Sequence, residues 1–187
     1  MNFFDHPIAR PPQPEQPPMP PWMGPPDDQV GVLVPFIPTV ARGADVAVVL
    51  AGLTAYPDGV IVAIHVRARE PRPRLFDVLH GHHGEEPSPG GLRFGFDLGE
   101  QGRVTNMGLD PRMMDDRGPH DPPPGPVLAS SGGGGSDRAV DHTSWLWPLP
   151  TGPLTFVVQW QDEGIEQQRI PLDADAVRAA ADAIQLW

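Results

Sequence analysis

The densest grouping of metal-capable side chains is His80-Gly81-His82-His83-Gly84-Glu85-Glu86. Imidazole nitrogens and carboxylate oxygens are ligands for zinc, nickel or copper, and a His-Gly-His-His spacing lets two rings converge on one ion if the segment folds around it. His80, His82, His83 and Glu85 are therefore the candidate metal ligands, and a metal-dependent hydrolase is the enzymatic alternative they would serve. The spacing matches no established zinc motif, and Gly81, Gly84 and Gly90 argue for a solvated, His-rich loop. No cofactor is expected.

Nucleophilic chemistry has less to stand on. Ser130, Ser131 and Ser136 lie in a Gly-rich stretch without a Gly-x-Ser-x-Gly elbow, and Asp141-His142-Thr143-Ser144 reads as a polar tetrapeptide. Folding can bring together triad members that are distant in sequence, so spacing alone does not exclude one. The run Gly132 to Gly135 lacks the Lys-Ser/Thr of a phosphate loop and the strand-to-helix setting of a dinucleotide fingerprint, and is expected to be a flexible connection. The acid pairs Asp27-Asp28, Glu85-Glu86 and Asp115-Asp116 have no calcium-loop alternation and read as solvated loop charges.

The aromatic residues say more. Trp145 and Trp147 alternate onto one strand face, while Leu154, Phe156, Val158 and Trp160 alternate onto another. Large indoles of this kind fill the space between two packed sheets, or, where partly exposed, anchor a protein partner or a sugar ring. Trp22 and Met23, inside Pro21-Trp22-Met23-Gly24-Pro25-Pro26, are large apolar side chains in a segment that otherwise has no core to join. Either they pack back on the domain or they dock on a partner. Trp22, Met23, Trp145 and Trp147 are the candidate partner-binding residues.

Composition narrows the function classes. The 187 residues include 27 Pro, 21 Gly and no Cys, which excludes a helical bundle, a disulfide framework and thiolate chemistry. The formal charge is −11 and all 13 basic residues are Arg. A chain this acidic lacks the basic footprint that phosphate backbones demand, so no nucleic-acid partner is expected. No stretch approaches the ~20 apolar residues of a membrane span, and the start has no basic region followed by an apolar core. The expectation is a cytoplasmic protein without a membrane partner.

Three parts are expected along the chain. Residues 1–29 hold ten prolines and form an extended arm, since such a segment favours polyproline II. Residues 30–172 form the domain. Its clearest element is a hairpin, Ala44 to Tyr56 and Val60 to Arg69, joined by Tyr56-Pro57-Asp58-Gly59, in which Pro presets φ and Gly accepts a positive φ. Val60, Val62, Ile64 and Val66 alternate with Ala63, His65 and Arg67, the period of a half-buried antiparallel strand. Val46, Val48 and Leu50 take the buried face of the first arm and Val49 misfits.

Val30 to Ile37, Leu92 to Leu98, Arg103 to Met107, Trp145 to Leu149, Leu154 to Trp160 and Ile165 to Leu172 complete seven or eight short strands. Long irregular stretches are expected at 70–91 and 108–144. The fold expected is mainly β, an antiparallel β-sandwich of immunoglobulin-like topology, with a closed barrel as runner-up. Residues 173–187 supply one helix, capped by Asp173 and carrying an apolar stripe of Val177, Ala180, Ala181, Ile184 and Trp187 that covers the sandwich or meets a second copy.

The Pro-Trp-Met arm, Gly52 to Gly59, the tetraglycine, Ser144-Trp145-Leu146-Trp147-Pro148-Leu149-Pro150 with Gly152 to Trp160, and a terminal helix ending in Leu186-Trp187 together resemble a family of uncharacterised actinobacterial proteins, over nearly the whole chain. No activity attaches to that family, so the resemblance implies no catalytic residues. It implies that the tetraglycine and the arm belong to the fold. With no catalytic constellation evident, the expected function is a non-enzymatic protein-interaction module, through a protein partner or self-association. A structural component of a larger assembly is a further alternative.

Overall fold

The structure is a computed structural model that describes residues 19–80, 89–108 and 121–184. Ten strands run in the order β1 Val32–Leu33, β2 Thr39–Arg42, β3 Val46–Ala55, β4 Val60–Ala68, β5 Arg93–Asp97, β6 Arg103–Thr105, β7 Val127–Gly135, β8 Ala139–Trp147, β9 Leu154–Trp160 and β10 Ile165–Leu172. A short helix α1, Asp77–His80, precedes β5, and α2, Ala174–Asp182, follows β10. None of the described helices is long and apolar enough to cross a membrane.

The strands form two antiparallel sheets. One has the order β1-β3-β4-β8-β7, with β2 also on β3; the other has the order β10-β9-β5-β6. β1 lies opposite Thr54 and Ala55, and β2 lies opposite Ala47 to Leu50, so two short strands share one edge of β3.

Alternation explains which faces meet. Val62 and Ile64 of β4 and Val48 and Leu50 of β3 are buried on one sheet, and Phe94, Phe96, Phe156 and Val158 on the other, all within a single hydrophobic cluster. Phe96 and Phe156 pack with ring centroids 5.5 Å apart. The irregularity between Leu50 and Gly52 resets the phase of β3, so that Leu53 and Ala55 return to the buried side. Val49 faces outward, opposite His65, and is no misfit. The helix α2 closes the cluster with Val177, Ala180 and Ala181, and the Asp173 carboxylate accepts from the Ala176 amide as N-cap.

Three expectations change. Gly132 to Gly135 is not a flexible connection: it is the second half of β7, paired with Thr143 to Val140 of β8. The supposed irregular stretch 108–144 therefore holds β7 and the first part of β8. The pattern was hidden because the glycines have no side chains to alternate and because β8 turns polar residues, His142 and Ser144, to the buried side. The turn at Tyr56 to Gly59 forms as expected, with the Tyr56 amide donating to the Gly59 carbonyl at 2.8 Å. Gly59 does not take a positive φ, however. Glycine is required there because a Cβ would sit 2.4 Å from the Leu146 carbonyl and 2.6 Å from the Trp145 ring.

Removing the Phe156 ring should cost about 3–5 kcal/mol, as for other buried aromatics. Leu33, 74% exposed on β1, should tolerate alanine within about 0.5 kcal/mol. Urea unfolding of Phe156→Ala and Leu33→Ala checks both.

Candidate functional site

The four aromatic and apolar candidates fall into one place. On β8, Leu146 pairs with Val60 and points inward, so its neighbours Trp145 and Trp147 point to the outer face of the six-stranded sheet. Trp145 is nonetheless completely buried, at 0% exposure, and lies outside the inter-sheet cluster; Trp160 is the indole that joins that cluster. Trp145 is covered by the arm: its Nε1 donates to the Pro21 carbonyl at 2.9 Å, and Tyr56 meets it edge-on at 5.7 Å between centroids. Trp22 is 7% exposed, and Met23 and Trp147 are half-buried. The indole N–H of Trp22 is buried without a partner among the described residues. The Trp145 indole thus ties the segment at Pro21 to the domain, and neither Trp145 nor Trp22 turns a free ring face to solvent.

The metal candidates fall outside what the structure describes. His80 ends α1, its side chain not being among those described, and His82, His83 and Glu85 lie outside the described residues. Among the described residues no three His, Cys, Asp or Glu side chains are placed to hold one ion. The polar tetrapeptide of β8 splits across the sheet. His142 Nε2 lies 2.9 Å from Ser144 Oγ, but both residues are buried between the sheets. Asp141 is on the opposite face, ion-paired with Arg67 at 2.6 Å. These three residues cannot act on a common substrate.

Sequence reasoning missed a cluster on the outer face of the four-stranded sheet. Once Phe94 and Phe96 turn inward, Arg93, Gly95 and Asp97 must turn outward. Register then sets Arg169 of β10 opposite Val157, Val157 opposite Gly95, and Gly95 opposite Thr105, in a row across all four strands. Asp97 lies directly opposite Arg103. Its Oδ2 accepts from Arg103 Nε at 3.0 Å and from Arg169 Nη2 at 2.8 Å, and its Oδ1 accepts from the Gly99 amide at 3.2 Å.

The side chain of Asp97 is 15% exposed while the two arginines stay at the surface. The Arg169 guanidinium foremost, with the Gly99 amide and Arg103, holds the Asp97 carboxyl below its ordinary value of 3.8, against the opposing effect of burial. Beside this cluster runs a groove of about 290 Å³ lined by Arg93, Gly95, Val104, Val157, Gln159 and Gln167 together with Arg103 and Arg169. Only the alternation of Arg93, Gly95 and Asp97 signalled it in the sequence; the partner 72 residues away did not.

Chemically the cluster supplies fixed hydrogen-bond donors. Guanidinium groups do not deprotonate in proteins, and an ionised Asp97 engaged by three donors has no proton to give. Arg103 and Arg169 face one carboxylate, which leaves a local excess of guanidinium charge, and Arg93 lines the same groove with its Nη2 donating to the Pro89 carbonyl at 3.0 Å. A smaller hollow of about 180 Å³ at the β2–β3 turn is lined by Arg42, Arg67, Arg69 and Asp45, but the Arg67 guanidinium is already taken by Asp141.

Comparison with family models, curated proteins and solved structures finds no match for this chain.

Two outcomes follow from the geometry. Trp145→Phe orphans the Pro21 carbonyl as well as losing ring area, whereas Trp22→Phe removes a donor that is already unpaired. The first should cost about 1–3 kcal/mol more than the second in urea unfolding; equal costs would refute the indole–carbonyl assignment. Because the folded-state pKa of Asp97 is lowered, its stabilising effect is complete well above 3.8 and is lost as pH falls below that value. The gap in urea midpoint between wild type and Asp97→Asn should therefore shrink from pH 7 to pH 3.

Proposed function

We propose that the chain is a non-enzymatic protein-interaction module that receives an extended, carboxylate-bearing segment of a partner on the outer face of its four-stranded sheet. The observation that carries this reading is the Arg103–Asp97–Arg169 cluster beside the groove. An ionised carboxylate fixes two planar donor forks in place, which lowers the entropy lost when they bind an anion. In a chain of net charge −11, a local excess of guanidinium would also draw an acidic segment to this face and away from the rest of the surface.

The strand order supports an immunoglobulin-like reading of the fold. β3-β4-β8-β7 and β10-β9-β5-β6 follow the A-B-E-D and G-F-C-C′ arrangement of such sandwiches, with β1 and β2 added on the A edge. In this reading Trp22 and Trp145, with Met23 and Trp147 at their rim, serve the module by fastening the arm to the A-B-E-D sheet. The partner contacts move to the other sheet.

Titration of the ¹⁵N-labelled protein with a hexaglutamate peptide tests the proposal. Shifts should gather on β5, β9 and β10 and on the Arg103 and Arg169 Nε–H signals, and should weaken with added salt. Arg103→Gln with Arg169→Gln should weaken binding by about tenfold or more, while Arg178→Gln, on α2, should leave it unchanged. Shifts centred elsewhere, or equal binding by the double variant, would sink the reading.

A further inference from the structure

The glycine run of β7 is not explained by the fold that contains it. Gly132 and Gly134 do not take a positive φ. A Cβ on Gly134 would meet nothing within 4 Å, and one on Gly132 would make an ordinary contact, 3.5 Å from Thr143 Oγ1. Gly135 is sterically required, since a Cβ there would lie 2.4 Å from the Ala139 carbonyl. Glycine weakens a strand interior by its entropy and its missing side chain, and where packing does not demand it, it marks a close approach by another backbone.

The position of the run says where that backbone lies. β7 is the last strand of its sheet, and among the described residues only β8 pairs with it. Ser130 to Gly135 is exposed throughout. The hairpin closes with the Ser136 amide donating to Ala139 at 2.7 Å. Antiparallel alternation from that pair directs the N–H and C=O of Gly133 and Gly135 away from β8.

Natural edges are usually guarded by Lys, Pro, a bulge or an inward charge. The stretch Gly132 to Gly135 carries no Lys, Pro or charge, and the irregularity of β7 falls before it, between Ser130 and Gly132. Of the two charges at the hairpin tip, Asp137 and Arg138, the arginine is drawn away, because it donates to the Arg69 carbonyl and pairs with Glu70 at 3.6 Å.

We infer that β7 pairs with β7 of a second copy of this chain, antiparallel about a twofold axis, joining two six-stranded sheets into one. Strand addition takes its affinity from main-chain bonds and its specificity from side-chain pockets. A bare glycine edge has no such pockets, so it selects by backbone alone, and the partner that needs no pocket is an identical bare edge related by symmetry. The net charge of −11 does not oppose this locally. Asp141, opposite Gly134, is ion-paired with Arg67 at 2.6 Å.

Sedimentation velocity on the full chain, from micromolar to near-millimolar concentration, is the test, alongside Gly134→Lys and Gly134→Asp. Both substitutions enter open space and should leave thermal unfolding, followed by circular dichroism, close to wild type. Wild type should dimerise. Each variant, which sets two like charges across the twofold, should raise the dimer dissociation constant about tenfold or more, and an equimolar mixture of the two should restore dimer. In wild type, the Gly133 and Gly135 amides should gain hydrogen-exchange protection as concentration rises. A wild type that stays monomeric, a dimer indifferent to both variants, or a mixture that fails to recover would each overturn the inference, the first leaving the edge for a strand from another protein.

Discussion

The burial of both faces of β8 at Trp145 and Leu146 is the constraint on which the rest depends. A strand in a two-layer fold normally buries one face and wets the other. Here Leu146 and Val140 point into the inter-sheet core while Trp145, one residue away, is equally closed to solvent on the opposite side. That second face has no sheet to cover it. The chain covers it with a proline-rich segment whose backbone carbonyl at Pro21 meets the indole N–H. Proline suits this role: it leaves carbonyls available as acceptors and spends no amide donors that would need partners. The same indole limits the β3–β4 turn, because Gly59 and Tyr56 both abut it, and the Leu149 amide reaches back to the Asp58 carbonyl at 2.8 Å. Arm, turn and central strand are one packed unit.

Legibility in the sequence followed the physics of each element. β4, β9 and α2 were readable because apolar side chains recur at the period of the element, and the β3–β4 turn because Pro, Asp and Gly each have a local reason to be there. β7 was unreadable because pairing through main chain alone leaves no periodicity. β8 was half-read: Trp145 and Trp147 marked a strand, but His142 and Ser144 satisfy one another inside the core at 2.9 Å and so disguise its inner face. The Arg103–Asp97–Arg169 cluster was legible only as the outward complement of Phe94 and Phe96. Arg169 joins it through the register of three successive strands, information that no local window contains.

Electrostatics and shape divide the molecule between its two sheets. The four-stranded sheet carries fixed guanidinium groups on a groove and can discriminate by charge. The six-stranded sheet covers its outer face with the arm and leaves its recognition capacity in unadorned backbone. The two proposed contacts, one selective for anionic side chains and one indifferent to side chains altogether, lie on different sheets and do not compete for the same surface.

The split edge of β3 bears on how far any strand addition can go. β1 and β2 hold that edge as fragments of two and four residues, separated by a stretch containing Pro35 and Pro38. Proline lacks the donor that a new strand would need, and fragments this short offer no continuous ladder. A sheet that is receptive on one side and spoiled on the other has a terminus built into it. It can accept a neighbour once, and cross-β stacking, which requires both sides of every strand to be receptive, finds no second step to take.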